Sequence, residues 1–121
     1  MTHRPNVLIV EDDVDIGSAL SARLEREGFD TTVVNNVAEA IDWLEDADPP
    51  CVVLADLLMP GIIGQSLLGY LRSDVRFASI PVAVVSGSPQ LAPEGYRVFR
   101  KPLDLQPLIE FVREGCAVAA H

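Results

Sequence analysis

Two cysteines, one tryptophan, two tyrosines and four phenylalanines are all that the 121 residues hold of the types that commonly staple or plug a small fold. Cys51 and Cys116 lie far apart, and neither has a second Cys or a His at metal-ligand spacing. They are therefore expected to be small buried hydrophobes. The two histidines, His3 and His121, stand at the termini without a sequence partner and take no role. Basic residues are also scarce: nine Lys and Arg face 18 Asp and Glu, a formal net charge of −9. That balance works against direct nucleic acid binding and against anionic lipid, and favours a cation or a basic protein surface as partner. No apolar run is long enough to span a membrane, and the opening MTHRPNVLIV has no signal-cleavage pattern. No membrane insertion and a cytoplasmic location are the expectation.

What is present is the material of one ordinary domain, long enough to bury a core without disulfides or a structural metal. NVLIV (6–10), CVVLA (51–55) and IPVAVVS (80–86) are short continuous apolar runs rich in β-branched residues, the pattern of strands covered on both faces. TTVV (31–34) and YRVFR (96–100) add two more. Between them lie helical spacings. Ile16, Ala19, Leu20 and Leu24 form the apolar face of the first, which Gly28 stops; Val37, Ala40, Ile41, Trp43 and Leu44 form that of the second, behind an Asn36 cap. A third helix is predicted near 64–74 and a last one over 105–114, with Asp104 as its cap. Strict alternation with fully apolar strands predicts an α/β fold, a parallel sheet with helices on both faces.

Ligands of such sheets bind beyond the carboxyl ends of the strands. The residues there are Glu11, Asp12 and Asp13 after the first strand, Asp56 after the third, Ser86 and Gly87 after the fourth, and Lys101 after the fifth. Carboxylates gathered at one edge raise one another's cost of ionisation and call for a cation. Hard oxygen ligands with room for water suit Mg²⁺. Lys101 adds a point charge able to pair with an acid or a phosphate oxygen, and the Ser86 hydroxyl and Gly87 N–H are donors to the same oxygens. Asp13 alone is expected to cap the first helix rather than to bind metal.

VLIVEDD, ADLLMPGIIG, VVSG and RKP, in this order and each at a strand end, resemble the receiver domain of two-component response regulators. The resemblance spans nearly the whole chain and implies one receiver domain over 1–121. Its fold would be flavodoxin-like, a five-stranded three-layer sandwich with strand order 2-1-3-4-5. It implies a phosphorylatable signalling switch rather than an enzyme acting on external substrates. Asp56 would accept a phosphoryl group from the phosphohistidine of a sensor histidine kinase or phosphotransfer protein. Asp12 and Asp56 would ligate Mg²⁺ together with the Leu58 carbonyl, and Glu11 would act directly or through water. Lys101 would pair with the phosphoryl group, which Ser86 and Gly87 N–H would also bind. The signal would pass to a downstream protein.

Three positions depart from the family. The interval from Ser86 to Lys101 is short by about two helical turns at 3.6 residues per turn, and its GSPQLAPEGY holds helix-poor Pro and Gly. The helix that the family places between its fourth and fifth strands is thus expected to be missing or reduced. Val98 stands where the family usually carries Tyr or Phe, and by strand alternation Phe99 points to the opposite face. Ile63 replaces a common acid. The alternative function is a phosphorylation-independent, receiver-like binding module. An Asp-nucleophile phosphatase of the haloacid dehalogenase kind ranks last, because it needs a second Asp where this chain has Leu58.

Overall fold

In the computed structural model, which describes residues 5–56, 63–88 and 95–119, strands and helices alternate from β1 to β4. The order is β1 Asn6–Val10, α1 Val14–Arg26, β2 Asp30–Val34, α2 Val37–Asp46, β3 Val52–Ala55, α3 Ile63–Ser73, β4 Val82–Ser86, β5 Arg97–Arg100 and α4 Leu105–Ala119. All four strand pairings are parallel, and the sheet order is β2-β1-β3-β4-β5. The expected strand order and three-layer architecture are therefore present.

The period-two alternation of side chains sorts the core into two layers. Val7, Ile9, Val52, Leu54, Ala83, Val85 and Phe99 pack with Leu20 and Leu24 of α1 and Leu108, Ile109 and Val112 of α4. Leu8, Val10, Val53, Ala55 and Val84 pack with Val37, Ala40 and Leu44 of α2 and Leu67, Leu68 and Leu71 of α3. Helices thus cover both faces, which is why β1, β3 and β4 read as unbroken apolar runs, whereas β2 and β5, at the sheet edges, are partly exposed. Val98 belongs to the second layer and Phe99 to the first, as strand alternation requires.

Local chemistry sets the helix ends. The Asp13 carboxylate accepts the Ile16 N–H at 3.1 Å, and Gly28, at φ 102°, turns the chain out of α1. Asn36 accepts the Glu39 N–H at 2.8 Å while the Glu39 carboxylate accepts the Asn35 N–H at 3.0 Å, a reciprocal cap on α2.

Three expectations need correction. The last helix runs to Ala119, five residues past Glu114, because Gly115 does not break it. A Cβ at Gly115 would lie 2.5 Å from Val52 Cγ2 and 3.2 Å from Pro81 Cγ, so glycine here serves a close approach of helix to sheet. Cys51 and Cys116 are buried, as expected, but they are joined in a disulfide with Cα atoms 4.9 Å apart. Their 65-residue separation is spanned by crossovers that lay α4 across the start of β3. Finally, Ile16 and Ala19 line a groove instead of the core, and Gly17 takes the buried position, 3.0 Å from Val33 Cγ1 for an added Cβ. Between β4 and β5 the described residues, 87–88 and 95–96, form bends and a turn. The expected loss of a helix there bears on 89–94, outside the described residues.

Replacing Gly115 with Ala tests the close approach. Better helix propensity contributes about 1 kcal/mol, whereas overpacking against Val52 costs about 1–3 kcal/mol. A net destabilisation of about 1 kcal/mol is expected from urea unfolding midpoints. An unchanged or raised midpoint would show that α4 can shift away.

Candidate functional site

Glu11, Asp56 and Lys101 each stand one residue beyond a strand, fixed there by a backbone bond that extends the ladder. Glu11 N–H donates to Val34 O at 2.9 Å, Asp56 N–H to Val10 O at 2.9 Å, and Lys101 N–H to Ser86 O at 2.8 Å. The strands cannot slip without moving these side chains to the wrong face. The parallel register places Ser86 opposite Arg100, so Ser86 and Lys101 emerge from adjacent strands at the same edge.

The centre of the site is an ammonium shared by two carboxylates. Lys101 Nζ lies 2.7 Å from Glu11 Oε1 and 2.9 Å from Asp56 Oδ2. These side chains are 19%, 3% and 13% exposed, so the interaction is poorly screened by water. The other Glu11 oxygen accepts the Asp13 N–H at 3.2 Å. Burial is the largest influence on Glu11 and pushes its carboxyl above the usual range, although Lys101 and the Asp13 N–H oppose it. Burial also works against the Lys101 ammonium, but hydrogen bonds from it to Glu11 and Asp56 prevail and hold its pKa above the ordinary lysine value. Lys101 is the only lysine in the sequence, and its peptide bond to Pro102 is cis.

Glu11, Asp12 and Asp56 each present a carboxylate oxygen within 4.8 Å of the others, with Asp12 the most exposed. Three carboxylates and one ammonium leave a local formal charge of −2 when all are ionised, and the donors are hard oxygens only. That set fits a small divalent cation. Asp13 stands outside the cluster and caps α1, as expected from sequence. Ser86 is fully buried, its hydroxyl accepting the Ser88 N–H at 2.8 Å, and Gly87 beside it is exposed with open space where a Cβ would stand. Leu58 lies outside the described residues. Sequence reasoning missed the groove beside Lys101, about 280 Å³, formed by Ile16, Ala19 and Leu20 of α1 with Pro102, Leu103 and Leu105. Its signal was Ile16 and Ala19 at the rim of the α1 apolar stripe.

The family model of the response regulator receiver domain matches residues 7–113. The chain belongs to this family. Among curated relatives, the receiver is 31% identical to the response regulator Rre1 of Synechocystis over 116 residues, 89% of the chain and 50% of Rre1. It is 32% identical to the DNA-binding response regulator MtrA of Mycobacterium tuberculosis over 85 residues, 70% of the chain and 36% of MtrA. The chain thus spans half the length of these relatives or less. Among solved structures, a sensor protein from Polaromonas superposes with TM-score 0.83 at 31% identity, covering 95% of this chain and 98% of that one. The receiver is accordingly a module of two-component signalling. No helix among the described residues is long and apolar enough to cross a membrane.

Substituting Lys101 with Met leaves Glu11 and Asp56 without their cation. In metal-free buffer at neutral pH a loss of about 3 kcal/mol is expected from chemical denaturation. Without the ammonium, burial holds the Glu11 carboxyl further above its unfolded-state pKa, so the variant's stability falls as pH rises through the carboxylate range. The deficit against the native chain should therefore be small near pH 4 and grow toward pH 7; a pH-independent deficit would refute the electrostatic origin.

Proposed function

We propose that residues 1–121 form one receiver domain acting as a phosphorylatable switch, with Asp56 accepting a phosphoryl group from the phosphohistidine of a sensor histidine kinase or phosphotransfer protein. The observation that carries this reading is the Lys101 ammonium bridging Glu11 and Asp56, with Asp12 within metal-ligating reach. An ionised carboxylate needs no general base. A bond forms from an Asp56 carboxylate oxygen to phosphorus while the bond from phosphorus to the donor's imidazole nitrogen breaks, and the imidazole takes a proton from water.

Such in-line transfer needs chiefly positioning and charge neutralisation. Lys101 Nζ, 2.9 Å from Asp56 Oδ2, is close enough to follow the charge onto a phosphoryl oxygen. The Ser86 hydroxyl uses a lone pair to accept from Ser88 and keeps its own hydrogen as a donor. Gly87 brings an N–H next to open space at its Cα. Asp12 and Asp56, with Glu11 directly or through water and the Leu58 carbonyl, would hold Mg²⁺, which when bound would neutralise charge on the transferring group. Hydrolysis of the acyl phosphate returns the switch to its start, so the domain serves signalling rather than turnover of an external substrate.

A protein phosphodonor would find apolar contact in the groove beside Lys101 and at Val14, which is 67% exposed at the start of α1. MtrA is named as DNA-binding; for this receiver, with net charge −9, contact with a downstream protein is the proposed output, in a cytoplasmic setting. The short segment after β4 and Val98 favour keeping a second reading, a binding module that acts without phosphorylation.

Labelling by acetyl phosphate separates the two. Mg²⁺-dependent incorporation, lost to background in Asp56→Asn, is expected for the switch, and Asp12→Asn should raise the Mg²⁺ needed for half-maximal labelling at least about tenfold, the order lost when even an outer partner of a metal is removed. Absence of labelling in the native chain would favour the binding module instead.

A further inference from the structure

The only two cysteines of the chain meet at the end of the sheet opposite the acidic site. Cys51 directly precedes β3, whose far end leads to Asp56, and Cys116 lies in the last turns of α4. We propose that the Cys51–Cys116 disulfide is a redox-responsive latch that fixes the end of α4 to the start of β3.

The contact is specified twice, once by the bond and once by the residues beside it. A side chain at Gly115 would strike Val52 and Pro81, so the helix backbone is already drawn onto the sheet by glycine next to the cysteine. The Cα separation of 4.9 Å lies within the range that a disulfide spans without backbone movement. The thiols therefore remain within bonding reach when reduced, and re-forming the bond is an intramolecular step favoured by high effective concentration.

The bond is not what docks the helix as a whole. Leu108, Ile109 and Val112 are completely buried and hold the first part of α4 by apolar contact. Beyond Val112 the buried inward residues among those described are Gly115 and Cys116. Reduction is thus expected to loosen residues 113–119 while 105–112 stay in place. Closing a loop of 65 residues also shifts the unfolding equilibrium, on the order of 10³-fold in the loop-closure account.

Oxidation balances by thiol–disulfide exchange with a small disulfide such as oxidised glutathione. The Cys51 thiolate, 9% exposed against 4% for Cys116, attacks the external disulfide and releases one glutathione thiol. The Cys116 thiolate then attacks the Cys51 sulfur and releases the second. Two electrons pass to glutathione, and the two protons of the protein thiols end on its two thiols. A cytosolic disulfide is ordinarily transient or redox-sensing rather than a permanent staple. The choice of redox window rests on the cytoplasmic reading, but the test needs no phosphorylation, so the two can fail separately.

The intact chain is equilibrated in glutathione buffers of graded ratio, from cytosolic to secretory poise, acid-quenched, and its thiols counted by maleimide mass shift. A latch gives a midpoint inside that range. A bond that persists at the most reducing ratio would mark a permanent staple, and two thiols at the most oxidising ratio would mark plain core residues; either overturns the proposal. Hydrogen exchange on the oxidised form, the reduced form and Cys51→Ser/Cys116→Ser supplies the second reading. Residues 113–119 are expected to exchange roughly tenfold faster or more without the bond, with 105–112 unchanged. Equal protection of 113–119 in all three would overturn the latch even if the midpoint is found.

Discussion

The structure depends on one ammonium placed between two carboxylates that fully apolar strands deliver to the same edge. β1 and β3 lead directly into Glu11 and Asp56, and the four residues before each acid are apolar and buried. Left alone, two poorly solvated acids would force proton uptake or push the strands apart. Lys101, arriving from β5, resolves this at 2.7 and 2.9 Å. β5 itself is a short edge strand with exposed arginines at both ends, a weak element by burial. Its attachment to the sheet is therefore strengthened by the charges that its following residue neutralises two and three strands away. Sheet closure and site assembly are one event, which couples the chemistry of the edge to the position of β5.

The site does not finish its own charge balance. One ammonium against three carboxylates leaves room for a divalent cation, and burial raises the pKa of Glu11 within that cluster. The single lysine in a chain whose other basic residues are arginine suits this place. A compact, mobile ammonium can serve two carboxylates and then a phosphoryl oxygen, whereas a planar guanidinium would favour one bidentate partner.

Much of this was legible in the residues. Apolar β-branched runs gave the strands their places, and Asp13 and Asn36 cap the helices that the spacing predicted. The identity of the edge residues followed from where those runs stop. Less legible was whatever depends on distance through space. Among the described residues Glu11 is the most buried acid, and it is the shortest partner of Lys101, a role that its place in an exposed-looking EDD triplet did not announce. Nothing near Gly115 in sequence signals its close approach, because the Val52 side chain that excludes a Cβ is over 60 residues away. The cysteines failed to pair on paper for the same reason. The helical spacing of Ile16 and Ala19 showed an apolar face but could not show that part of it stays uncovered.

The route out of the site is where the sequence departs most from its family, and the geometry narrows it. A ring turning inward beneath Ser86 would need an aromatic side chain in the layer that holds Val98. Phe99 is in the other layer, packed edge-on against Phe111 with ring centroids 5.7 Å apart. Tyr96 does share the layer of Val98, but its ring is covered by the Arg72 guanidinium at 5.0 Å, tying it to the end of α3. Valine is stiff at χ1 and has no polar tip to exchange partners. On the β4 side of this edge the group that can respond to a new anion is Ser86, and its hydroxyl is already bound to the backbone of Ser88. In the proposed switch, a pull on Ser86 is felt first by the main chain leaving β4 at 87–88, so that backbone, rather than a swinging ring, is where this receiver would begin to report.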